Sequence, residues 1–290
     1  MARAKQRASR CRTLLVAAIL VAGVGAMAVG CGSSGSTGLP PIAAAKTYRL
    51  AGFTPAGPVH AGRAVHVALR ILQPSGAPIL RYRTGSGPHT GIDLIVVPSD
   101  LRVLVYDDPP VRADGSISQE VTFPVAGSYR IVVDAFPVTP GVPPNVQFFK
   151  TVRVAGAAVP PAPNYGLATA VGGYRFAIQG HPVVHAIQAV LLTVKVTDAT
   201  GAPAVFTPFD GAIAHAIFFR EGSLDYFHTH ICAPNAPACT SSTRGPAGSA
   251  TTPGILRVGA LLPVAGRWRM FLRTKIAGRE LVTPFTLVVR

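Results

Sequence analysis

The chain has 290 residues, 13% of them charged and 49% hydrophobic, with a formal net charge of +15. Five basic residues lie within the first twelve positions, which leaves 22 basic against 12 acidic residues beyond them, a net +10. The remaining arginines occur singly, without a Lys/Arg cluster or an aromatic platform, which argues against a nucleic-acid reader. Anionic lipid heads or an acidic wall polymer are the partners that a diffuse positive charge attracts.

At the start of the chain Arg3, Lys5, Arg7, Arg10 and Arg12 precede an uncharged apolar run from Thr13 to Val29. This is the pattern of an export signal, residues 1–30, and the run is short for a membrane span. Its end, Ala28-Val29-Gly30-Cys31, resembles a lipobox, with Cys31 as the lipidated residue and Ala28 in place of the usual Leu. An uncleaved membrane helix is the alternative. The Gly- and Ser-rich stretch after Cys31, within residues 31–46, reads as a flexible tether. Together these features predict a lipid-anchored protein on the extracytoplasmic face of the cell membrane.

Beyond the tether, 30 glycines and 27 prolines across the chain punctuate apolar runs too short for helices. Short runs between turn signals such as Asp114-Gly115 and Pro74-Ser75-Gly76 predict strands. The best helix candidate, Val183 to Leu192, is equally good as a strand. An internal repeat organises these strands. Val67 to Pro78 is echoed by Leu192 to Pro203, and Phe123 to Val132 by Leu262 to Phe271. Between these landmarks, Asp93 to Asp108 aligns with His215 to His230 at an offset of 122, while the later landmark lies at an offset of 139. The difference places a 17-residue insertion in the second copy, between Cys232 and Gly248. The predicted fold is all-β: two tandem immunoglobulin-like β-sandwiches, residues 47–158 and 171–290, joined by a Pro-rich linker, residues 159–170. Tyr129 and Trp268 occupy matching positions and read as packing aromatics.

Chemistry concentrates in the second copy. His228 and His230 are two apart on one predicted strand and share a face. A two-residue Gly222-Ser223 loop places His215 opposite His230, whereas a three-residue loop turns His215 to the other face. In the first register His215, His228 and His230 form a candidate metal site for Cu or Zn, because neutral imidazole suits both ions. The competing reading is three solvated or hydrogen-bonded strand histidines. His60, His66, His89, His181 and His185 read as structural, with His185 expected nearest to any site.

The stretch His215 to His230 resembles a repeated motif in a widespread group of bacterial secreted proteins and lipoproteins with duplicated domains. In that group a Gly-His strand is followed by an Arg-Glu turn and a Leu-x-Tyr-x-His-x-His-Pro strand. The resemblance covers roughly residues 60 to 290 and implies metal handling in the cell envelope. In the first copy Ile95-Val96-Val97, Asp100-Leu101 and Pro109 are kept, but Asp93, Tyr106 and Asp108 stand where the group has histidines. These three would make a harder oxygen site, or none.

Cys232 and Cys239 bracket part of the insertion, and in an oxidising compartment a disulfide between them is expected; the rival is Cys232 as a thiolate metal ligand. No Gly-x-Ser-x-Gly, His-Glu-x-x-His or phosphate loop is present, so no enzyme is expected. A zinc-activated water with Asp225 or Glu221 as base is the catalytic alternative. A metal-free module that binds another envelope protein or a wall polymer is the other alternative to metal binding.

Overall fold

The structure, a computed structural model, describes residues 47–85, 88–158, 160–233 and 248–290. The export signal, Cys31, the tether and Cys239 lie outside the described residues. All regular elements among the described residues are strands, as the runs of β-branched and aromatic residues between Pro and Gly require.

The first half contains eight strands. They are β1 (Arg49–Thr54), β2 (Val59–His60), β3 (Ala64–Leu72) and β4 (Ile92–Pro98), then β5 (Val105–Asp107), β6 (Ser116–Thr122), β7 (Gly127–Ala135) and β8 (Val146–Ala155). A three-stranded sheet of order β1-β3-β6 faces a five-stranded sheet of order β2-β8-β7-β4-β5. β1 and β2 contribute to different sheets, β1 pairing antiparallel with β3 and β2 parallel with β8. This strand order is immunoglobulin-like.

Nine strands form the second half. They are β9 (Ala168–Val171), β10 (Tyr174–Ile178), β11 (Val190–Asp198), β12 (Ala214–Arg220) and β13 (Tyr226–Cys232), followed by β14 (Gly248–Thr252), β15 (Ile255–Ala260), β16 (Gly266–Ile276) and β17 (Arg279–Val289). The segment read as a helix or strand joins β11 only from Val190 onward, and β9 begins inside the stretch read as linker. The strands repeat the first-half plan, with one difference. β14 runs parallel to β13 and antiparallel to β15, so what are two sheets in the first half become one, ordered β17-β16-β12-β13-β14-β15-β11-β10-β9. Gly248 is required at this crossing, since a Cβ there would lie 2.2 Å from the Arg257 carbonyl oxygen.

Each half has its own core, one around Tyr129, Phe123 and Ile71, the other around Trp268, Phe218 and Phe285. The two packing aromatics do the same work. The Tyr129 hydroxyl donates to the Val125 carbonyl at 2.9 Å, and the Trp268 Nε1–H donates to the Val264 carbonyl at 2.9 Å. A third cluster belongs to neither half alone. Ile95, Val97, Leu104 and Val132 of the first half pack against Ile217, Phe219, Leu224 and Phe271 of the second. Period-two alternation explains how β4 and β12 serve two cores: alternate side chains point into their own sandwich, and those between them point across to the other. The β4 and β12 sheets therefore lie face to face, with an apolar seam between them.

Candidate metal centre

The seam is apolar at one end and polar at the other. Along β12 the across-facing residues are His215, Ile217 and Phe219; along β13 they are Tyr226, His228 and His230. The pairing His215↔His230 is the register that makes the three histidines meet. The turn is longer than the two-residue loop expected. The Arg220 N–H donates to the Asp225 carbonyl, enclosing Glu221 to Leu224, with Gly222 and Leu224 in the left-handed region at φ 87° and 59°. One residue is added on each side of the expected loop, so the register is unchanged.

His215, His228 and His230 each present a ring nitrogen within 4.8 Å of the others. Their ring centres lie 4.4 Å (His228 to His230), 4.9 Å (His215 to His230) and 5.7 Å (His215 to His228) apart. An ion held tetrahedrally at about 2.0–2.1 Å by imidazoles requires ring centres roughly 5 Å apart. The observed spacings bracket that value.

The surroundings determine which nitrogen is available. His215 Nε2 lies 3.2 Å from the Phe209 carbonyl oxygen, which can only accept, so Nε2 carries the proton and Nδ1 has the free lone pair. That Nδ1 is buried with no hydrogen-bond partner among the described residues, and so are both ring nitrogens of His228. Leaving buried polar atoms unpaired costs about 1–3 kcal/mol each. Burial pushes the His228 imidazole down to about 3, with the Arg273 charge acting in the same direction. His215 and His230 are held well below the ordinary range by burial, then by the charge on His228. All three are neutral near pH 7.

Acidic groups of the first sandwich face this cluster. Asp93 Oδ2 lies 3.6 Å from His228 Nδ1, just beyond hydrogen-bond reach. Burial raises the Asp93 and Asp108 carboxyls, which lie against each other beside Tyr106. Asp134 is raised to about 7 by burial, and the Asp93 charge adds to this, opposed by hydrogen bonds from Asn145, Tyr226 and Gln147. The Tyr226 hydroxyl reaches across the seam to donate to Asp134 Oδ2 at 3.0 Å. Arg273 also spans it, its guanidinium carbon 3.6 Å from the centre of the Tyr106 ring. A cleft of about 600 Å³, lined by His89, Asp93, Asp108, Asp210, His215 and His230 among others, opens beside these groups.

Asp93, Tyr106 and Asp108 therefore form no separate site of their own; they line the same seam as the three histidines. Their register repeats that of the second hairpin, Leu94↔Asp107 matching Ala216↔Thr229. Asp134 and the cation Arg273 carry no motif in the sequence. The one available signal is that Ile92–Pro98 and Ala214–Phe219 are each unbroken apolar runs except for a single polar residue, Asp93 and His215. Such runs mark strands buried on both faces.

Two other expectations are corrected. His185 is exposed, beside Val184, which bridges Val289, the partner of Gly266 at the far end of β16 from Arg273. At about 3.3 Å per residue that is roughly 20 Å from the cluster; His89 is the histidine that lies near it. Asp225 and Glu221 sit at the turn end of the hairpin, where Asp225 accepts from Ser223 at 2.7 Å and Glu221 from Arg267 at 2.8 Å. Neither is placed to act as a base at the histidines.

Residues 169–290 match a family described as a domain of unknown function (DUF8832). No curated protein matches the chain. Among solved structures, the chain is similar to the fibronectin(III)-like modules of Clostridium thermocellum CbhA, at 11% identity over 84% of this chain and 93% of that one, TM-score 0.21. It is also similar to the tandem Ig repeats of Dlar, at 11% identity over 85% and 99%, TM-score 0.22. A third likeness is to invasin, a bacterial integrin-binding protein, at 13% identity over 84% and 39%, TM-score 0.23. The immunoglobulin-like assignment rests on this chain's own strand order and pairing.

Proposed function

We propose that this protein is a lipid-anchored envelope protein, attached through Cys31 after export, that binds Zn(II) or Cu(II) through His215, His228 and His230 and catalyses no reaction. The observation that carries this reading is that the unpaired, buried Nδ1 of His215 and ring nitrogens of His228 lie, with a nitrogen of His230, at spacings that suit one ion. Three imidazoles without a charged ligand favour borderline ions over Ca(II) or Mg(II), which take oxygen donors. Asp93 acts beside the site by orienting His228. The basic balance of the chain beyond the signal draws the folded part toward the anionic membrane surface that holds its anchor. A disulfide from Cys232 to Cys239 ties the insertion to the end of β13, leaving no cysteine in the ligand set.

Calorimetric titration of the metal-free protein lacking its signal tests the reading. One Zn(II) or Cu(II) per chain is expected. Loss of a ligand in His228→Ala or His230→Ala should weaken binding by more than the roughly 10–100-fold that outer-sphere changes cost. Equal affinity in parent and variants refutes the proposal and leaves a metal-free envelope interaction module.

A further inference from the structure

The loop leading into β4 brings a fourth imidazole to the seam. His89 belongs to the first sandwich and is held at φ 65°, close to Gly91 at φ 61°. Non-glycine residues seldom occupy this left-handed region, and its occupation here fixes where the side chain projects. The His89 ring centre lies 4.4 Å from that of His230, at an interplanar angle of 88°, and 5.0 Å from that of Phe136. Its Nδ1 is buried with no hydrogen-bond partner among the described residues, the same condition as His215 Nδ1 and both ring nitrogens of His228. It borders the same cleft as His215 and His230.

We propose that His89 is the fourth ligand of the centre, so that one ion is held by three imidazoles of the second sandwich and one of the first. This rests on the three-histidine reading and deepens it. The 4.4 Å separation from His230 is close to the roughly 5 Å that two imidazoles on one tetrahedral ion require. His89 lies outside the set whose nitrogens are already within 4.8 Å of one another, so rotation about its side-chain bonds completes the sphere.

Two consequences follow. A four-nitrogen sphere has no open position, which is the pattern of sites that hold an ion rather than activate water. The ion also ties the loop before β4 to the β12–β13 hairpin, so its binding energy becomes energy of association between the two sandwiches.

The test uses the whole exported chain with Co(II) as a spectroscopic probe, then Zn(II). His89→Asn is the variant of choice, since Asn tolerates the left-handed backbone and cannot replace imidazole. The parent should bind one Co(II) with the intense visible absorption of four-coordinate geometry. His89→Asn should bind more weakly by more than the roughly 10–100-fold that outer-sphere changes cost, with a fainter spectrum that free imidazole restores. Zn(II) should slow amide exchange at residues 88–91 in the parent and leave it unchanged in His89→Asn. Unchanged Co(II) affinity and spectrum in His89→Asn, with binding lost in His230→Ala, overturns the role of His89 and spares the three-histidine site. No Zn-dependent protection of residues 88–91 in the parent also overturns it. No ion bound by the parent overturns both readings.

Discussion

The hairpins β4–β5 and β12–β13 share one register and face each other across the seam, yet they carry opposite chemistry. Asp93, Tyr106 and Asp108 on the first correspond to His215, His228 and His230 on the second. The contrast extends to the neighbouring strands, where Asp134 on β7 matches Arg273 on β16 at the 139-residue offset. Hydrogen-bond acceptors and proton holders line one wall, nitrogen donors and a cation the other. A repeated frame can thus yield one composite pocket in place of two equivalent sites, because the copies meet through the same surface.

The sharpest way to break the comparison is to give the second hairpin the side chains of the first. The triple variant His215→Asp, His228→Tyr and His230→Asp should lose calorimetrically detectable Zn(II) binding. Next in size is the element that only the second copy has. Gly248→Ala forces a methyl against the Arg257 carbonyl where β14 joins the two sheets, and should cost on the order of 1–3 kcal/mol or more in urea unfolding. Asp93→Asn replaces the carboxyl that faces His228 Nδ1 and should weaken Zn(II) binding roughly 10–100-fold in a competition titration without abolishing it. Tyr129→Phe deletes the hydroxyl that bonds Val125 and should cost about 0.5–1.5 kcal/mol; Trp268→Phe should cost more, because a cavity is added to the lost bond.

Another effect acts through protons, and its size depends on pH. The Asp134 carboxyl is raised from 3.8 to about 7 in the folded protein, first by burial. Between these values the folded chain holds a proton that the unfolded chain has released, so this group's contribution to stability is full below 3.8 and is lost as pH rises toward 7. Asp134→Asn should therefore show a smaller fall, or a larger rise, in unfolding free energy from pH 4 to pH 7 than the parent. Identical slopes would mean that Asp134 is already ionised at pH 4.

Much of this site is legible in the sequence. The duplication offset of 122 places His215 against Asp93 and His228 against Tyr106, and two-residue alternation puts His228 and His230 on one face. The register survived a wrong loop length because pairing depends on the sum of the paired positions, which a symmetric extension of the turn preserves. What could not be read was tertiary. Whether the outer face of β4 meets solvent or another sheet is decided by distant residues, so the sequence does not show that Asp93 faces His228. His89 reaches the cluster through an irregular loop with a left-handed backbone, which no periodicity signals. His185 lies next to a plausible element in sequence yet far from the cluster, because proximity along the chain says little about position in a sandwich.

The burial of β4 and β12 on both faces also bears on how such a chain can be divided. Either half produced alone would present a bare oily wall, Ile95, Val97, Leu104 and Val132 on one and Ile217, Phe219, Leu224 and Phe271 on the other. Two identical halves set wall to wall form the simplest cover for it. Seen this way, the tandem protein is a dimer written into one polypeptide, and the covalent link frees the partners to differ, one carrying imidazoles where the other carries two carboxyls and a phenol.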